Sequence, residues 1–160
     1  MIYMKVGYDK KKPSTDYVRE VLIKDYGIEN PKIILNEHGK PYLEGNEYYF
    51  SISHTDDMLI FVIAKDEVGL DIEKIRPYDE GVAKKLFTDV EISYAEDNDF
   101  TFTEIFAKKE SYMKYLGTGL TDQCPDIDVL TNELICSFSY DDYVIAITNA
   151  CTNISIIELE

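Results

Sequence analysis

A chain of 160 residues with 45% apolar content is long enough for one good core, or two small lobes sharing one, and too apolar to be a disordered segment. Its net charge of −15, from 31 acids against 16 bases, argues against nucleic-acid binding as the main activity, and it obliges any anionic ligand to find a locally positive entrance. No apolar run approaches the ~20 residues of a membrane span, and the start Met1 to Lys5 lacks the build of a signal peptide, so a cytoplasmic protein with no nucleic-acid or membrane partner is expected.

In chain order, Met1 to Gly7 has the pattern of a short strand. The Lys10-Lys11-Lys12-Pro13 run after it is the densest positive cluster, either a solvated loop before a helix or a phosphate contact. Ser14 or Thr15 can cap a helix that carries Tyr17, Val18, Val21, Leu22 and Tyr26 at helical spacing and stops at Gly27. Pro31 to Leu35 predicts a strand, and Gly39-Lys40-Pro41 a turn in which Lys40 is held between two backbone-fixing residues. Tyr48 to Ser53 alternates as a strand and runs into His54, so Ser51, Ser53 and His54 sit at a strand end, where ligand contacts are common.

The continuous run Met58 to Ala64 suits a strand buried on both faces. With the turn Lys65 to Glu67, it and Val68 to Glu73 predict a hairpin within one sheet. Val68, Leu70 and Ile72 point one way; Gly69, Asp71 and Glu73 point the other, so two carboxylates share a face within reach of one divalent cation. Gly69 on that face leaves room for a ligand or another backbone. Asp79 to Phe87 looks helical, and Thr88 with Glu91 forms a capping-box pattern for the next turn. From Thr101 to Leu120, Phe102, Ile105, Phe106, Met113 and Leu116 repeat at helical intervals. Glu110 lies on or beside that stripe, either salt-bridged to Lys114 at i+4 or sharing a metal with Asp71 and Glu73. Leu134 to Tyr140 and Tyr143 to Thr148 predict a hairpin, and Ile154 to Leu159 an edge strand. The three cysteines, Cys124, Cys136 and Cys151, show neither a disulfide framework nor C-x-x-C spacing. They are expected to be buried small residues or inert surface thiols.

Three segments, Phe50-Ser51-Ile52-Ser53-His54, Val68-Gly69-Leu70-Asp71-Ile72-Glu73 and Phe106 to Leu120 with its Lys109-Glu110 and Lys114, resemble the signature motifs of 4′-phosphopantetheinyl transferases of the monomeric, two-lobed Sfp type, which implies a monomer. Gly39-Lys40-Pro41 matches the family's position ahead of the Ser-His motif. The resemblance implies an α+β fold of two similar α/β lobes with pseudo-twofold symmetry, residues 1–65 and 66–160, with coenzyme A between them. It further implies transfer of the phosphopantetheine arm of coenzyme A to a serine of an apo carrier protein, with release of 3′,5′-ADP. Asp71, Glu73 and Glu110 would bind Mg²⁺, while Lys40, Ser53 and His54 would contact the nucleotide end of coenzyme A. Lys109 and Lys114 would face its phosphates, and Glu91, Glu110 and Lys114 would serve catalysis, Glu91 acting on the serine hydroxyl.

Phe106 and Ala107 depart from the Trp and Ser or Thr usual in the third motif, so the hydroxyl contact is lost there. The chain is also short for the type ahead of Gly39 and after Leu120. Because carrier proteins of this kind are commonly acidic, a basic or apolar docking patch is expected around Lys109, Lys114 and Tyr115 to Leu120. Two other readings compete with the transferase: a non-catalytic homologue binding coenzyme A or a carrier, and an unrelated Mg²⁺-dependent phosphohydrolase.

Overall fold

The computed structural model describes residues 1–45, 47–120 and 124–160. Strand β1 (Ile2–Val6) leads through the lysine loop to helix α1 (Ser14–Tyr26). The helix begins directly after Pro13 with no side-chain cap, so neither Ser14 nor Thr15 caps it; Gly27 ends it at φ 70°, donating its N–H to Leu22 O. Short strands β2 (Ile33–Leu35) and β3 (Pro41–Leu43) pair with each other, followed by β4 (Tyr49–His54) and β5 (Met58–Ala64). Then come β6 (Gly69–Lys74), the short helices α2 (Glu80–Leu86) and α3 (Asp89–Ala95), and the long α4 (Asp99–Leu116). β7 (Ile135–Tyr140), β8 (Tyr143–Thr148) and β9 (Ile156–Glu158) close the chain.

These elements form an α+β arrangement with two principal sheets, ordered β4-β5-β1-β9 and β6-β8-β7. Strand parity sorts the core. Tyr3, Leu59, Phe61 and Ile63 face α1, where Val18, Val21 and Leu22 meet them. Ile2, Met4, Ile60 and Val62 face the second sheet and pack on Val68, Leu70, Ile72, Ile145 and Ile147. The far side of the second sheet carries α4, with Ala107 buried against Val144 and Ala146. The β5 run is therefore apolar on both faces because α1 covers one and a sheet covers the other.

The β5–β6 hairpin expectation fails. β5 already has β1 and β4 on its two edges, so it has no ladder position left; β6 pairs with β8 in the other sheet. Instead, the free edge of β6 meets β4 through side chains. Leu70 N–H donates to Ser51 Oγ at 3.0 Å and Ile72 N–H to Ser53 Oγ at 3.3 Å, all within the interior. Two serine hydroxyls thus take the place of a backbone ladder and satisfy two buried amides. No helix among the described residues is long and apolar enough to cross a membrane.

Candidate functional site

The face of β6 carrying Gly69, Asp71 and Glu73 looks at α4. A Cβ placed on Gly69 would lie 1.8 Å from Ser111 O and 2.7 Å from Tyr115 N, so glycine is required by the close approach of the helix backbone. Of the two occupants expected beside Gly69, a ligand or another backbone, the structure shows the backbone of α4. That contact brings Lys114, three residues beyond Ser111, to Asp71. Its Nζ lies 2.7 Å from Asp71 Oδ1 and donates to Ser53 Oγ at 2.9 Å, while Ser53 donates to the same Asp71 oxygen at 2.8 Å. Three elements, β4, β6 and α4, meet in this triangle. Asp71 is 3% exposed, and its second oxygen, Oδ2, is buried with no hydrogen-bond partner among the described residues.

Glu73 and Glu110 belong to the same electrostatic neighbourhood. Burial pushes Glu73 up to about 7, the Asp71 and Glu110 carboxylates adding to the shift and Arg76 and Lys114 opposing it. Glu110 is raised by burial and then by Asp71, again against Lys114 and Arg76. Among the described residues no three His, Cys, Asp or Glu side chains are close enough to hold a metal ion between them. The three acids sense one another's charge without forming a closed cage.

Two hollows flank the triangle. The larger, about 780 Å³, is lined by Lys10, Lys11, Lys12, His54, Glu73 and Lys74 among others. The smaller, about 220 Å³, is lined by Lys40, Ser51, Lys114, Gly117 and Gly119. His54 is exposed at the end of β4, 6.2 Å from the Tyr8 ring. The Lys40 ammonium meets the Glu67 carboxylate and lies 3.5 Å from Val68 O and 3.4 Å from Tyr115 O.

Two expected site residues lie elsewhere. Lys109 and Glu91 are both fully buried and form an ion pair at 2.7 Å. Lys109 Nζ also donates to Cys124 O at 3.0 Å and to Ile127 O, so its three N–H bonds are all used. Glu91 accepts from Thr88 N–H at 2.7 Å, completing the α3 capping box, and from Val129 N–H at 2.8 Å. In this arrangement neither reaches a phosphate or a serine hydroxyl; together they pin residues 124–129 to α3 and α4. The expected basic or apolar patch around Lys109, Lys114 and Tyr115 to Leu120 lacks its basic members, since Lys109 is interior and Lys114 is committed to Asp71, but Leu116 and Leu120 leave apolar surface exposed there. The exposed lysines beside the larger hollow are Lys10, Lys11 and Lys74. The hydroxyl lost at Ala107 has no bearing on the hollows, because that position packs against β8.

Sequence reasoning missed two residues. The Arg76 guanidinium stands 4.4 Å from the centre of the Phe106 ring and 5.4 Å from that of Phe102, and acts on Glu73 and Glu110 from there. Its position three residues after Glu73, at the end of the same strand, was the available signal. Asn36 accepts from His38 and Lys40 N–H through Oδ1 and donates to Gly117 O at 3.0 Å, tying the Gly-Lys turn to the end of α4. An Asn opening a Gly-containing turn is a recognisable pattern.

A model of the 4′-phosphopantetheinyl transferase superfamily matches residues 67–148. The chain is 34% identical over 110 residues to 4′-phosphopantetheinyl transferase gsp of Aneurinibacillus migulanus, covering 64% of this chain and 46% of that one. It is 32% identical over 112 residues to 4′-phosphopantetheinyl transferase Sfp of Bacillus subtilis (strain 168), covering 65% and 50%. To 4′-phosphopantetheinyl transferase AcpT of Salmonella typhi it is 31% identical over 96 residues, covering 54% and 50%. The aligned segments thus span about half the length of these curated relatives.

Proposed function

Because the chain belongs to the 4′-phosphopantetheinyl transferase superfamily, we propose that it moves the phosphopantetheine arm of coenzyme A onto a serine of an apo carrier protein and releases 3′,5′-ADP. The observation that carries this reading is the meeting of Ser53, Asp71 and Lys114 from three separate elements, with Glu73 beside them and a hollow on either side. We read residues 1–65 and 66–160 as the two α/β lobes, related by a pseudo-twofold axis; each half supplies a covering helix and most of one principal sheet, with β9 of the second half added to the sheet of the first.

The chemistry of the donor set, three carboxylates with one buried oxygen to spare, suits Mg²⁺, and the three acids would have to draw closer to hold it. Asp71 Oδ2 is a buried carboxylate oxygen with no partner among the described residues, and Glu73 and Glu110 carry raised affinities for protons, first because they are buried and then because negative charge is crowded there. Asp71, Glu73 and Glu110 would hold the ion, which when bound neutralises charge on the pyrophosphate. Lys114 offers an ammonium to the phosphate oxygens from the Asp71 side, and Ser53 fixes both partners. Lys40, Ser53 and His54 take the nucleotide end, and the Lys10 to Lys12 loop supplies positive charge beside His54 that the whole chain lacks. The carrier serine oxygen attacks the phosphorus of the phosphopantetheine side, its proton passes to Glu110, and the bond to the 3′,5′-ADP oxygen breaks. The buried Lys109–Glu91 pair shapes α4 from behind and touches no substrate.

Incubation with coenzyme A, Mg²⁺ and a panel of apo carriers tests the reading. A carrier mass gain of one phosphopantetheine arm with matching 3′,5′-ADP is expected. No gain on any carrier, with coenzyme A still bound, would instead identify a non-catalytic homologue. Release of inorganic phosphate would point to a phosphohydrolase.

A further inference from the structure

The proposed reaction uses none of the thiols, yet two of them are placed together. Cys136 on β7 stands opposite Ile147 of β8, and facing residues of an antiparallel pair have α-carbons about 4.5–5.5 Å apart. After β8 the chain turns at Asn149, which has φ 66° and donates its N–H to Leu134 O at 2.8 Å. That turn carries Cys151 back over the open end of the hairpin. Cys151 Sγ lies 3.3 Å from Leu134 O and 3.6 Å from Ile147 O. These two carbonyls bracket Cys136, one lying two residues earlier on the way into its own strand and the other belonging to its facing partner. Burial, and then the hydrogen-bonded Cys151 thiol beside it, push Cys136 up to about 12. Both thiols are partly exposed, whereas Cys124 is sealed in the interior.

We propose that Cys136 and Cys151 are a dithiol oxidation site, closed to an intramolecular disulfide by a low-molecular-weight disulfide such as oxidised glutathione. The Cys151 thiolate attacks one sulfur of that oxidant, and the other half leaves as a thiolate and takes up the proton that Cys151 gave. Cys136 then loses its proton, attacks the Cys151 sulfur and expels the second glutathione, which is protonated in turn. Two electrons pass from the protein thiols to the oxidant, and two glutathione thiols result. The raised Cys136 thiol is a poor nucleophile toward reagents in solution, so it reacts once Cys151 presents an activated sulfur next to it. Closure turns the β7–β8 hairpin into a ring and fixes the start of the segment that carries β9 across to β1. A ring that restricts the unfolded chain favours the folded one.

The test uses the reduced full chain, oxidised glutathione, and peptide mapping by mass under non-reducing conditions. The expected product has lost two hydrogens, contains a linked Cys136–Cys151 peptide, melts at a higher temperature than the reduced chain and reverts with dithiothreitol. Cys124→Ser should behave as the unaltered chain does. Cys136→Ser should stop at a lasting glutathione adduct on Cys151. Cys151→Ser should lose both the link and the thermal shift, and serves on its own where Cys136→Ser fails to fold. A lasting adduct on the unaltered chain, a link through Cys124, links only between chains, or no reaction would each overturn the proposal.

Discussion

Helix α4 carries two acid–lysine pairs of the same length, and they have opposite fates. Lys109–Glu91 is sealed: the lysine has three acceptors, the glutamate is filled by two backbone N–H groups and the ammonium, and nothing remains to bind anything else. Lys114–Asp71 is left open: the lysine is 28% exposed at its side chain, the aspartate keeps one buried oxygen unpaired among the described residues, and two further carboxylates press on it. A saturated pair holds structure together, whereas a pair with unused capacity retains affinity for something not yet there. An ionic contact is therefore informative through what its atoms still lack.

The sharpest way to break this contrast is Asp71→Asn. Removing one charge from the open cluster should lower carrier modification by at least ~10²-fold, while the thermal midpoint without divalent cation holds or rises because repulsion on Glu73 and Glu110 is relieved; full activity would refute the contrast. Lys109→Met should do the reverse. It strands a buried carboxylate and should cost about 3–5 kcal/mol in urea unfolding, and pairing it with Glu91→Gln should recover part of that loss; a cost near zero would show that the pair is not sealed.

Ser51→Ala comes next. The buried Leu70 amide loses its acceptor, which should cost about 1–3 kcal/mol, read by the same unfolding curve. The smallest effect is on pH dependence. Folded Glu73, up to about 7, and Glu110, also raised, hold protons that the unfolded chain releases near the ordinary glutamate value of 4.5. The stability they contribute is whole below that value and lost as pH rises toward about 7. Without divalent cation, the midpoint contributed by these groups should fall between about pH 5 and pH 8, and added Mg²⁺ should restore more of it at the upper end. An equal Mg²⁺ effect at both ends would contradict the assignment.

How much of this was legible depended on the kind of information each residue carries. Alternation at Val68 to Glu73 fixed which side chains share a face, and the structure keeps that division. It could not tell what covers each face, which is why the room beside Gly69 suits a ligand or a backbone equally and a short turn suggests a hairpin. Lys109 was misplaced although the signal was present: with Phe102, Ile105 and Met113 it falls on the buried stripe of α4, and Thr88-x-x-Glu91 already announced a capping role. The resemblance places Lys109 by motif position, and a motif position does not say which way a side chain of α4 turns. Arg76 and Asn36 were passed over because their effect arises between elements distant in sequence, through the Phe106 ring and the end of α4.

The serine seam has one more consequence, for how this chain keeps company with its own copies. The two principal sheets have four outer strands, β4, β9, β6 and β7, and each outer strand is a template onto which a stray chain could add. Ser51 and Ser53 turn two of those strands toward each other and occupy the amides of Leu70 and Ile72 that an invading strand would need. Of the remaining two, β9 is only three residues long. Two hydroxyls that look like minor members of a binding motif therefore also guard the fold against growing into a larger sheet.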